Sequence, residues 1–178
     1  VTVLRVGLNN TKDFWTGVHA SEALLWNVYF EGVKEKFSES GETASLQKRI
    51  GVWRVLTRAN ENNTVEHQKY LHKIRDVLLN PDARDRLFAL ESLAKLNYSE
   101  RLPEILRLAE EGRKAFKPFA RWVLANSGNP EDEAYLAELL TSDDKDYYGY
   151  TAYALRFLKE IRPETYDLLK QCANRLSA

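Results

Sequence analysis

No methionine occurs among the 178 residues, and cysteine occurs once, at Cys172. A single thiol excludes an internal disulfide and a cysteine-built metal site. It suits the reducing cytoplasm, and equally a secreted domain that needs no cross-link. With Val1 at its start and no initiator, the chain reads as a processed protein or a fragment of a longer one. Net charge is also lacking, since 26 Lys and Arg balance 26 Asp and Glu. Without a global basic field, the balance weighs against a nucleic-acid partner. No apolar run approaches the ~20 residues that cross a bilayer, and the N-terminus lacks the basic-then-apolar pattern of a signal peptide. Three Asn-x-Ser/Thr sequons, at Asn9, Asn62 and Asn97, arise easily in a chain this rich in asparagine.

The alternating Val/Ile/Thr pattern of strands is absent too, and apolar residues recur at three and four instead. Helical punctuation is plain. Asn80-Pro81-Asp82, Ser127-Gly128-Asn129-Pro130 and Arg162-Pro163 each end one helix and start another. Asn129 before Pro130 reads as an N-cap with proline at the first helical position, where its missing N–H costs nothing. Asp82, with Asp85 three later, reads as a cap plus an acidic first turn.

A small residue followed four later by an aliphatic one recurs mid-helix: Ala20 and Leu24, Gly51 and Val55, Ala89 and Leu93, Ala120 and Leu124, Thr151 and Leu155. The starts lie 31, 38, 31 and 31 residues apart. The polar stretch NENNTVE, residues 60–66, is suited to hold the seven extra residues. Each unit therefore reads as a helix carrying the pair, a short turn and a second helix. A two-helix unit of about 30 residues cannot bury its own apolar face, so neighbours must stack. The expectation is an all-α chain: one α-solenoid domain over residues 1–178, of about five repeats. Residues 1–8 would be the end of a preceding helix, and residues 163–178 a final helix with a polar, water-facing side.

A basic residue stands three before the anchor at Lys48, Arg86 and Lys117, and Asn129-Pro130-Glu131 forms the turn after the fourth anchor helix. In these features residues 15–176 resemble short HEAT-like repeats of the bacterial lyase-associated type. Gly17 and Tyr148 depart from the basic position in the first and last units. The resemblance implies a solenoid with a concave inner face, and functions from protein scaffolding to lyases and DNA glycosylases.

Two residues after each anchor, the side chain points roughly 200° away from it. That position reads Glu22, Trp53, Glu91, Trp122 and Tyr153 down the repeats, and one turn further come Trp26, Thr57, Lys95, Asn126 and Phe157. On a solenoid's concave side these would form an aromatic and acidic groove for an extended segment or a partner helix, since exposed Trp and Tyr dominate binding hot spots. The other reading wedges Trp53 and Trp122 between layers. Ile50, Phe88, Phe119 and Tyr150, one before each anchor, belong with the core, and His19 is the exception. Of the tyrosines in DKDYYGYTAYALRF, Tyr147 joins the core and Tyr148 and Tyr153 face outward. Asp143, Asp144 and Asp146 form an acidic helix start.

Catalytic groups are scarce. His67 and His72 lie roughly 140° apart on a helix, poorly placed to share a metal. His19 and Glu22 are one turn apart, an arrangement more common as a surface hydrogen bond than as an acid–base pair. Cys172 has no activating neighbour, and neither a phosphate loop nor HExxH occurs. No catalytic residue, metal or cofactor is assigned. The function expected is a non-catalytic protein-interaction or scaffold module with a protein or peptide partner, or with other domains of a parent chain. The alternatives are a DNA-binding or DNA-repair solenoid of the glycosylase type, an accessory domain of a larger bacterial enzyme or transporter, and a tetrapyrrole-lyase-like small-molecule module. The first would need a basic concave face, whereas the column holds Glu22 and Glu91 with Lys95 as its one cation.

Overall fold

A computed structural model describes residues 1–10 and 12–177, and every regular element among them is helical. The order is α1 (Thr2–Leu8), α2 (Phe14–Trp26), α3 (Val33–Ser38), α4 (Ser40–Thr43), α5 (Leu46–Ala59), α6 (Thr64–Leu79) and α7 (Arg86–Lys95). There follow α8 (Pro103–Glu111), α9 (Phe116–Ala125), α10 (Pro130–Ala137) with a 3-10 turn at Glu138–Thr141, α11 (Lys145–Leu155) and α12 (Pro163–Ser177). Among the described residues, no helix is long and apolar enough to cross a membrane. The backbone forms two compact units, Val1–Ser92 and Leu93–Ala178, divided within α7.

In the first unit α5 packs on α2, α3, α4 and α6, and α1 lies on α2. In the second, α9 packs on α8, α10 and α11, and α10 also meets α12. All five small anchors and all five aliphatic partners are buried. Their size matters: a Cβ on Gly51 would lie 3.0 Å from the Trp15 ring of α2, so the two helices approach where a side chain is missing. Pro130 opens α10, and the Asn129 side chain accepts from the Glu131 N–H, as the turn predicts. Asp144 caps α11 by accepting from the Asp146 N–H.

The seven extra residues of the second unit of the repeat are not in a loop at 60–66. Asn63 caps α6, whose first residue is Thr64, and α6 runs for 16 residues where α8 has nine. Seven residues are about two helical turns, so the extra length continues a helix without rotating its apolar face. Asp85, expected to lie in a first helical turn, precedes α7 and is fully buried, accepting two hydrogen bonds from Arg49 at 2.8 and 3.0 Å. Tyr150, expected in the core, is 41% exposed, while Ile50 and Phe119 are buried and Phe88 is half-buried.

A further periodic feature lies eight residues after the anchor. The backbone is left-handed at Val28 (φ 65°), Asn97 (φ 57°) and Gly128 (φ 75°). At Val28 and Asn97 the next N–H reaches back to the aliphatic partner's carbonyl, Tyr29 to Leu24 at 2.9 Å and Tyr98 to Leu93 at 3.0 Å, closing the helix end. Gly and Asn adopt this conformation readily, but a β-branched residue does not. Val28→Asn, which copies Asn97, is therefore expected to raise stability by about 1 kcal/mol, measured by urea unfolding followed by circular dichroism. A decrease would show that the exposed Val28 side chain makes up for its backbone strain.

Candidate binding site

The column expected from helical projection divides into two groups with different surroundings. In the first unit, Glu22 accepts from Arg54 Nε at 2.5 Å and Nη2 at 3.3 Å, from Arg58 Nη1 at 3.4 Å, and lies 3.4 Å from His19 Nδ1. Arg54 also donates to the Ser92 hydroxyl at 2.8 Å. Burial pushes the Arg58 guanidinium below its usual range, partly opposed by Glu22. The Arg58 guanidinium lies 5.5 Å from the ring of Trp26, which is 63% exposed. Glu91 is half-buried and Thr57 buried, its hydroxyl donating to the Trp53 carbonyl. Trp53 is only 9% exposed, its Nε1 donating to the Gly41 carbonyl at 2.6 Å.

In the second unit, Trp122, Tyr153, Phe157 and Lys95 come together. The Trp122 ring stacks on Phe157 at 5.3 Å and meets Tyr153 edge-on at 6.0 Å, and Lys95 Nζ lies 5.4 Å from the Tyr153 centroid. Trp122 is fully buried. Neither Trp122 nor Trp53 is thus an exposed rung of a groove, and this corrects the projection. For these two residues a direction of 200° from the anchor meets a neighbouring helix rather than water, because α5 packs on α2, α3, α4 and α6, and α9 on α8, α10 and α11. His67 turns its Nδ1 to the Thr57 carbonyl at 2.9 Å, and Cys172 is buried.

Among the described residues, an open space lies at helix ends. A partly enclosed cavity of about 700 Å³ in the second unit is lined by Asn97, Gly128 and Lys159. These three residues are 31 apart, the same position in successive repeats. Asn126 and Asn129 add amides, while Leu158 and Ile161 add apolar surface. Of the column, Asn126 alone reaches this cavity. Its Nδ2 donates to the Ala94 and Tyr98 carbonyls at 2.8 and 3.1 Å, tying the end of α7 to that of α9.

Two charged side chains complete the wall. Glu133, buried in the first turns of α10, accepts the backbone N–H of Arg162 at 3.0 Å and its Nε–H at 3.2 Å. The neighbouring Asp132 is held by Arg101 at 2.7 Å. Helical projection missed Asn97, Glu133, Lys159 and Arg162, because it ranks faces of a helix and these residues sit where helices start and stop. The readable signal was the recurrence of turn residues at the 31-residue period.

The fold and the site thus define an all-helical protein with a polar, amide-rich cavity at its inter-helix turns. No protein-family model matches the chain, and no curated protein or solved structure is significantly similar to it.

Proposed function

We propose that the protein is a non-catalytic binding module of HEAT-like repeats, stacked within each unit, which holds a peptide segment of another protein in the cavity of the second unit. The observation that carries this reading is the lining: amides and alkyl side chains from three consecutive repeats converge on one partly enclosed space. Side-chain amides offer the donor and acceptor that a peptide main chain needs, and the apolar residues beside them give an anchoring side chain somewhere dry to sit. The burial of Trp53 and Trp122 moves the contact surface from the helix faces to these turns.

Panning a library of random displayed peptides on the folded protein tests the reading. Enriched peptides are expected to shift the amide resonances of Asn97, Gly128 and Lys159 in the isotope-labelled protein. Leu158→Asp is expected to weaken them by about tenfold or more, with the melting temperature measured alongside. No enrichment over an unrelated helical protein, or shifts confined to residues outside the cavity, would overturn the proposal.

A further inference from the structure

Arg162 stands on the cavity wall, held from behind. Glu133 takes both its backbone N–H and its Nε–H, which fixes the plane of the guanidinium and neutralises the buried carboxylate. A guanidinium has five N–H donors, four of them on Nη1 and Nη2. Among the described residues neither Nη has a hydrogen-bond partner, and the side chain is 36% exposed. Asn126 is complementary: both Nδ2 hydrogens are spent on carbonyls, so the amide has only its Oδ1 acceptor to offer. The cavity thus presents a rigid, donor-only cation and an acceptor-only amide. Lys159 and Glu160 on the rim carry opposite charges, as do Arg162 and Glu133, so selection falls to the Nη hydrogens of Arg162 rather than to net charge. α12 begins immediately after it, and the partial positive charge of that helix end favours an anion on the same side.

We infer that the cavity receives the C-terminal carboxylate of the partner peptide. Arg162 Nη1 and Nη2 donate to the two carboxylate oxygens, and Asn126 Oδ1 accepts from the N–H of the terminal residue. A terminal residue carries that planar anion and that donor in one rigid unit, next to a side chain for the Leu158 and Ile161 surface. An internal Asp or Glu holds its carboxylate on a flexible stem away from its own N–H. The fork of a guanidinium matches a carboxylate bidentately, which a point charge does not. The inference rests on the peptide-binding reading above.

N-acetyl-leucine, N-acetyl-leucinamide and sodium acetate, each titrated into isotope-labelled protein, are the probes. N-acetyl-leucine is expected to shift the Arg162 Nε–H and the amides of Gly128 and Lys159 saturably, in the millimolar range proper to so small a ligand. The leucinamide is expected to bind about tenfold more weakly. Arg162→Lys keeps the charge and loses the fork, so it should weaken N-acetyl-leucine about tenfold while the remaining resonances stay in place. Equal shifts and affinity from acetate or from the leucinamide would overturn the inference, as would no shift at about 50 mM. Panned peptides separate this failure from that of the parent reading. If they occupy the cavity equally as C-terminal acids and amides, or an internal Asp on an amidated peptide binds as tightly as the free terminus, the carboxylate assignment falls and peptide binding stands.

Discussion

Trp122→Ala is expected to cost about 3–5 kcal/mol of unfolding free energy, as large-to-small changes at fully buried aromatic sites do. The ring is fully buried and in contact with three others, Phe119 at 6.1 Å, Tyr153 at 6.0 Å and Phe157 at 5.3 Å. Removing it leaves a space among those rings, and the cost grows with the volume that stays open. Among the described residues the indole Nε1 has no hydrogen-bond partner, and a buried donor in that state costs about 1–3 kcal/mol. Trp122→Phe, which removes the donor and keeps a ring, is therefore expected to lose only about 1 kcal/mol. Urea unfolding of both variants by circular dichroism checks the pair. A small loss for the alanine variant would return Trp122 to the surface and revive it as a binding residue.

Arg54→Ala is expected to cost about 3–5 kcal/mol for a different reason, the exposure of a buried charge to a lost partner. The Arg54 side chain is 5% exposed and that of Glu22 is 13% exposed, and their Nε–Oε1 contact is 2.5 Å. Without Arg54, Glu22 loses its shortest contact, the Arg58 and His19 contacts both being 3.4 Å long, and the Ser92 hydroxyl loses its donor. Replacing both partners by apolar residues of similar volume, Arg54→Met with Glu22→Leu, removes both charges of the pair and leaves Arg58 to the Trp26 ring and the field of Glu61. The double variant is expected to be more stable than Arg54→Ala alone. Guanidinium chloride unfolding distinguishes these cases, and a loss below about 1 kcal/mol for Arg54→Ala would mean the pair is screened by water like a surface ion pair.

The two predictions separate what helical projection saw from what it did not. Small–x–x–x–aliphatic pairs were readable because burial of one stripe imposes a 3.6-residue rhythm on a helix, and all ten residues are buried as that rhythm requires. Caps were readable because Asn129 with Pro130, and Asp144, act on their own chain within a few residues. The Trp residues were not. A side chain opposite the anchor meets water or a second helix depending on how many neighbours surround its helix, and a single sequence does not encode that number locally. Tyr150 shows the converse, an aromatic ring next to an anchor left 41% exposed.

The sequence by itself determined an all-helical chain, the 31-residue recurrence of its buried anchors and the turns between helices, because each depends on contacts within a few residues or on a repeated pattern. Only the tertiary structure decided that α6 absorbs the seven extra residues, that Glu22 gathers two arginines, and that Asn97, Gly128, Lys159 and Arg162 meet around one cavity. The physical reason is common to all three: side chains tens of residues apart become neighbours only when the helices carrying them dock, and helix docking is set by the shape of whole surfaces rather than by any one stretch of chain.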